Sequence, residues 1–111
     1  MGGAMRMNCI RRGTTPTVRV RVNRDLTAGG WQLHLSFSGR RARVEKGNGD
    51  MELAQADGGC VLSVPLTQED TLAFRAGETV LVQLRARSGD AAIASGVAQL
   101  AVRGVLEDGV I

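Results

Sequence analysis

Residues 64–90 read VPLTQEDTLAFRAGETVLVQLRARSGD, and the order of signals in them decides the fold. Thr67 stands where a helix N-cap belongs, and Asp70 lies three residues on, in the reciprocal position of a capping box. Glu69 and Asp70 also suit the positive end of a helix. The spacing predicts a short helix over 68–74, with Leu66, Leu72 and Phe74 turned inward and Gly77 ending it. A helix of about two turns does not persist alone, so it must lean on a sheet. Beyond Gly77, Val80, Val82, Leu84 and Ala86 alternate with Gln83, Arg85 and Arg87, the pattern of a half-buried strand whose arginines fall on the wet side.

The same period of two recurs outward from this stretch. TVRVRV at 17–22 turns Val18, Val20 and Val22 one way and Arg19 and Arg21 the other. WQLHLSF at 31–37 places Trp31, Leu33, Leu35 and Phe37 inward and Gln32, His34 and Ser36 outward, as a central strand. A charged strand is expected around Ala42 and Val44, with arginines 41 and 43 outside. A weak strand near Met51–Leu53 and a firmer one at Cys60–Val64 flank a turn at Asp57–Gly59, which reads as an antiparallel hairpin. GVAQLAVRGV makes the last strand, with Ala98, Leu100 and Val102 inward.

About seven short strands at such intervals mark an all-β fold, an antiparallel β-sandwich of immunoglobulin-like type with one short helix near 68–74. The buried disulfide and late tyrosine of antibody domains are missing, and an open barrel of about five or six strands is the alternative. Residues 1–15, with Gly2, Gly3, Gly13 and no sustained period, read as a flexible arm, and 16–111 as a single domain.

Composition narrows the chemistry. With 111 residues and only Trp31, Phe37 and Phe74 as aromatics, the core is built from small pieces, so self-association is a reasonable further source of burial. The formal charge is +3, and Lys46 is the one lysine among 14 basic residues. Arginines spread over opposed faces do not make a track for a phosphate backbone, and stacking rings are lacking, so nucleic acid is not the expected partner. Cys9 and Cys60 show no metal-ligand spacing and are expected to be free thiols in a reducing compartment. No signal-peptide pattern and no long apolar run point to secretion or to a membrane.

No catalytic set emerges, and no cofactor is implied. His34, the one histidine, lies on an outward strand phase with Ser36 and Ser38 nearby but without a glycine-rich oxyanion nest beside them. Cys60 begins an apolar strand and reads as a small hydrophobe. Asp50 with Glu52, and Glu107 with Asp108, do not follow the calcium-loop pattern, and EKGNGD lacks the order of a phosphate loop. The expectation is a protein that is not an enzyme.

Three segments, CIRRGTTPT at 9–17, PLTQEDTLAF at 65–74 and VRGVLEDGVI at 102–111, together resemble a family of small prophage-encoded proteins. These are similar to the immunoglobulin-like amino-terminal domain of phage baseplate upper proteins. The match runs through Arg11, Arg12, Gly13 and Pro16, then Thr67, Glu69, Leu72 and Phe74, then Leu106, Gly109, Val110 and Ile111. The resemblance implies a structural or assembly subunit of a phage or prophage particle, tail or baseplate associated. Its partners would be other phage structural proteins, met in the bacterial cytoplasm during assembly and then in the virion.

The two ends are the candidate contact elements: Arg11, Arg12, Thr14, Thr15, Pro16 and Thr17 at one, and Leu106, Val110 and Ile111 at the other. Either they reach a neighbour or they pack on their own domain. A carbohydrate or peptide adhesion module, with an exposed aromatic platform, and a single-stranded nucleic-acid binder, with its arginines along one groove, are the alternative functions.

Overall fold

The computed structural model of the protein describes residues 9–104. Nine strands among the described residues form two sheets. They are β1 (Cys9–Arg11), β2 (Thr17–Val22), β3 (Gln32–Ser38), β4 (Arg43–Gly47), β5 (Glu52–Ala56), β6 (Gly59–Pro65), β7 (Thr79–Ser88), β8 (Ala91–Ala94) and β9 (Ala98–Arg103). A 3-10 turn spans Asn48–Asp50, and α1 covers Gln68–Leu72. The larger sheet runs β1-β9-β7-β3-β4, with β8 also on β7, and the smaller runs β2-β6-β5.

β3 and β7 form the centre of the larger sheet. Their antiparallel register sets Leu33 opposite Ala86, Leu35 opposite Leu84 and Phe37 opposite Val82. Inward residues thus meet inward residues, and all six are buried. From the smaller sheet, Val18, Leu62 and Val64 join the same apolar cluster. Full burial of a side chain such as Phe37 or Leu62 stabilises the fold by about 1.5–3 kcal/mol.

Several expectations are corrected. Two strands beyond the expected seven are present, β1 and β8, each too short to display a period in the sequence. The sheets are not wholly antiparallel, because β1 lies parallel to β9, with Ile10 opposite Val102. Within the segment 1–15, read as an arm, the described residues include β1, where Ile10 is buried against the edge that β9 offers.

Trp31 stands just ahead of β3 and is only half-buried, with the Arg24 guanidinium 5.0 Å over its ring. Ala98 is exposed, whereas Leu100 and Val102 are buried as expected. The helix ends two residues earlier than the pattern suggested, and its fully buried side chain is Thr71 rather than Leu72. A hydroxyl can be buried there because backbone carbonyls receive it.

Gly59 opens β6 against β2, and a Cβ on it would lie 1.9 Å from the Val22 carbonyl oxygen, which no side-chain rotation relieves. Gly59→Ala is expected to lower stability by about 2–3 kcal/mol in urea unfolding. Gly49→Ala, where a Cβ meets nothing within 4 Å, should change it by less than about 0.5 kcal/mol.

Candidate functional site

The segment leading out of β1 and the segment around α1 are joined by hydrogen bonds between residues as far apart in the chain as 62 positions, and fold against each other. α1 begins as its sequence dictates. The Thr67 hydroxyl accepts the Asp70 N–H at 3.0 Å, and the Asp70 carboxylate accepts the Thr67 N–H at 2.9 Å. A third group joins the box, since Lys46 Nζ sits 2.7 Å from Asp70 Oδ2 with both side chains largely shielded. Burial pushes the Asp70 carboxyl up. Lys46 and the Thr67 N–H together outweigh that effect and hold it below its ordinary 3.8.

The other end of α1 is closed from a distance. The Arg12 guanidinium donates to the carbonyls of Phe74 at 2.7 Å and Leu72 at 3.2 Å, placing a cation where the helix leaves its carbonyls unpaired. Gln68 Nε2 donates to the Gly13 carbonyl at 3.0 Å. The Thr71 hydroxyl lies 2.9 Å from the Thr14 carbonyl and 3.2 Å from that of Gln68, and donates its one hydrogen between them. Leu66 N–H donates to the Pro16 carbonyl at 2.9 Å, which continues the β2–β6 ladder into this corner.

The expected contact residues therefore divide. Arg12, the backbones of Thr14 and Pro16, and Arg11, whose guanidinium donates to the Gly104 carbonyl at 3.3 Å, are engaged within the domain, while Thr15 and Thr17 are exposed beside them. Leu106, Val110 and Ile111 lie outside the described residues.

A basic cleft of about 440 Å³ opens next to this corner, rimmed by Arg40, Arg41 and Arg75 over Gly77 and Thr79. Glu78 shapes it. One carboxylate oxygen accepts the Arg40 N–H and the other accepts the Arg75 N–H at 2.8 Å, and these two bonds, in that order, hold the Glu78 carboxyl below the usual range. Gly39 is required beside it, since a Cβ there would come 2.7 Å from the Phe74 ring. Three guanidiniums on a concave rim can receive carboxylates or other anions. No pattern in the sequence announces this cleft, because its arginines come from two loops whose meeting depends on the sheet.

His34 stands on the outer face of the larger sheet, 3.3 Å from Glu45, which also pairs with Arg43 at 2.9 Å. All three side chains are about half or more exposed, the expected condition of a wet strand face. Among the described residues no group of three or more His, Cys, Asp or Glu side chains is arranged to hold a metal ion. No helix is long and apolar enough to cross a membrane among those residues. No known protein family matches the chain, and no curated protein matches it significantly.

Two outcomes test this corner. Thr67→Ala is expected to cost about 1 kcal/mol of stability, measured by thermal and urea unfolding. The folded chain keeps Asp70 charged at pH values where the unfolded chain would take up a proton. The stabilisation it gives is therefore complete well above pH 3.8 and is lost as pH falls through and below that value. Asp70→Asn should flatten the acid limb of a stability–pH curve.

Proposed function

We propose that this chain is a structural, non-enzymatic assembly subunit of a phage or prophage particle, tail or baseplate associated, that works through protein–protein contacts. The observation that carries the reading is the corner just described. Two of the segments that bear the family resemblance, 9–17 and 65–74, form one bonded substructure through Arg12, Gln68, Thr71 and Leu66. A shared three-dimensional unit supports a resemblance better than scattered short matches do.

We also infer that the sandwich is immunoglobulin-like. The order β9-β7-β3-β4 over β2-β6-β5 corresponds to strands G-F-C-C′ over B-E-D of that fold, with α1 at the crossing from E to F. In this correspondence β8 and β9 are two pieces of one final strand. The fold alone does not assign a task, so the functional reading rests on the resemblance and on the surfaces.

The surfaces favour protein contacts over the alternatives. Phe37 and Phe74 are buried, and Arg24 stands over one face of the half-buried Trp31, which disfavours an aromatic platform for a sugar. Arginines stand at the β2 edge (Arg19, Arg21), in the cleft (Arg40, Arg41, Arg75), on the outer face of β7 (Arg85, Arg87), at the end of α1 (Arg12), beside Glu45 (Arg43) and over Trp31 (Arg24), which disfavours one continuous basic groove.

Co-expression of the chain with the products of its neighbouring genes, followed by size exclusion and native mass spectrometry, is expected to yield a stoichiometric complex with a particle protein. A chain that stays monomeric at every concentration and co-purifies with none of them overturns the proposal.

A further inference from the structure

Among the described residues, one edge of β2 is unpaired and faces an apolar groove. The Pro16 carbonyl accepts from Leu66 on the β6 side. Peptide groups along a strand alternate in direction, so those of Thr17, Arg19 and Arg21 point away from β6. No described strand pairs with β2 on that side. Across the gap runs the first half of β9. There β1 covers only Ala101 to Arg103, so residues 98–100 also have no neighbour among the described strands on that side.

Between these two edges lies a groove of about 360 Å³, floored by Val18, Val20, Leu35, Val82, Leu84 and Leu100. Val20 is only half-buried, whereas the other five are buried. An apolar groove bounded by unpaired backbone is the setting in which an added strand gains both hydrogen bonds and burial. The cleft beside Lys46, Asp50 and Glu52, near the β4 and β5 edges, has charges of both signs.

The charge on β2 selects the occupant. Arg19 and Arg21 are exposed on its outward phase, and Arg21 donates to the Asp57 carbonyl at 2.6 Å without losing its charge. A second copy of β2 laid antiparallel would set arginine against arginine, and like charges directly opposite are destabilising. A strand with carboxylates at the same phase is attracted instead.

We propose that β2 is an acceptor edge for an extended segment of a partner protein that is apolar at alternate residues and acidic between them. The apolar side chains enter the groove, and the carboxylates face Arg19 and Arg21. The proposal rests on the assembly reading above and names the surface and the chemistry of the partner.

The test titrates the full-length chain, labelled for nuclear magnetic resonance, with two capped peptides of equal length, one alternating valine and glutamate, the other valine and lysine. The glutamate peptide is expected to bind at least about tenfold more tightly, to weaken with added salt, and to slow amide exchange at Thr17, Arg19 and Arg21. The double variant Arg19→Glu/Arg21→Glu changes only exposed side chains and should reverse the preference. Absence of binding, equal binding of both peptides, or protection centred on β4 or β5 overturns the proposal. Protection of the Arg19 and Arg21 amides without peptide also overturns it. If it vanishes on removing residues 1–8, the chain's own leading segment is the occupant; if it grows with concentration, a second copy is. A particle complex that forms equally well with the double variant retains the assembly reading and removes β2 from it.

Discussion

The register between β3 and β7 is the constraint on which the rest of the molecule depends. It brings two independent alternations into phase, so that Leu33, Leu35 and Phe37 meet Ala86, Leu84 and Val82 on one face. A slip of one residue would send all three β3 side chains to water and draw Gln32, His34 and Ser36 into the core. Each neighbouring strand takes its place from this pair: β4 pairs with β3, and both β8 and β9 pair with β7. The smaller sheet then closes over the apolar face through Leu62 and Val64. Because the three aromatics are few and two of them lie deep, this core depends on many modest aliphatic contacts rather than on one large anchor.

The corner around α1 shows how a helix too short to be stable by itself is made part of the fold. Its first turn is closed by its own sequence and by Lys46 of β4, its last carbonyls by Arg12 beyond β1, and its buried hydroxyl by the backbone near Thr14. Two separate stretches of chain, one at 12–14 and one at Lys46, therefore converge on a helix of five residues. The adjoining arginine-rimmed cleft is a by-product of the same convergence, since Glu78 ties the backbone at Arg40 to the backbone at Arg75.

Much of this architecture is legible in the sequence, and the unreadable parts share a cause. Alternation in TVRVRV, QLHLSF and TVLVQLRAR is long enough to fix strand and face, and T-x-x-D fixes the helix start. Cys9–Arg11 and Ala91–Ala94 are too short for a period, so their strands exist only because an adjacent strand offers an edge. The pattern marks Leu72 for burial as the larger apolar side chain, yet the helix is rotated so that Thr71 points inward to waiting carbonyls. Arg12 as a distant helix cap and the grouping of Arg40, Arg41 and Arg75 are tertiary facts that no local spacing encodes. The β2 edge is intermediate: its face is written in the sequence, while its lack of an outer neighbour among the described strands is a property of strand order.

The two cysteines have contrasting surroundings. Cys9 is exposed on β1, whereas Cys60 is sealed within β6, the middle strand of the smaller sheet, with its sulfur 3.3 Å from the Arg24 carbonyl. An alkylating reagent therefore meets one thiol at once and the other only when that sheet breathes. The slow second modification is a clock, native to the chain, for how often its three-stranded half comes apart.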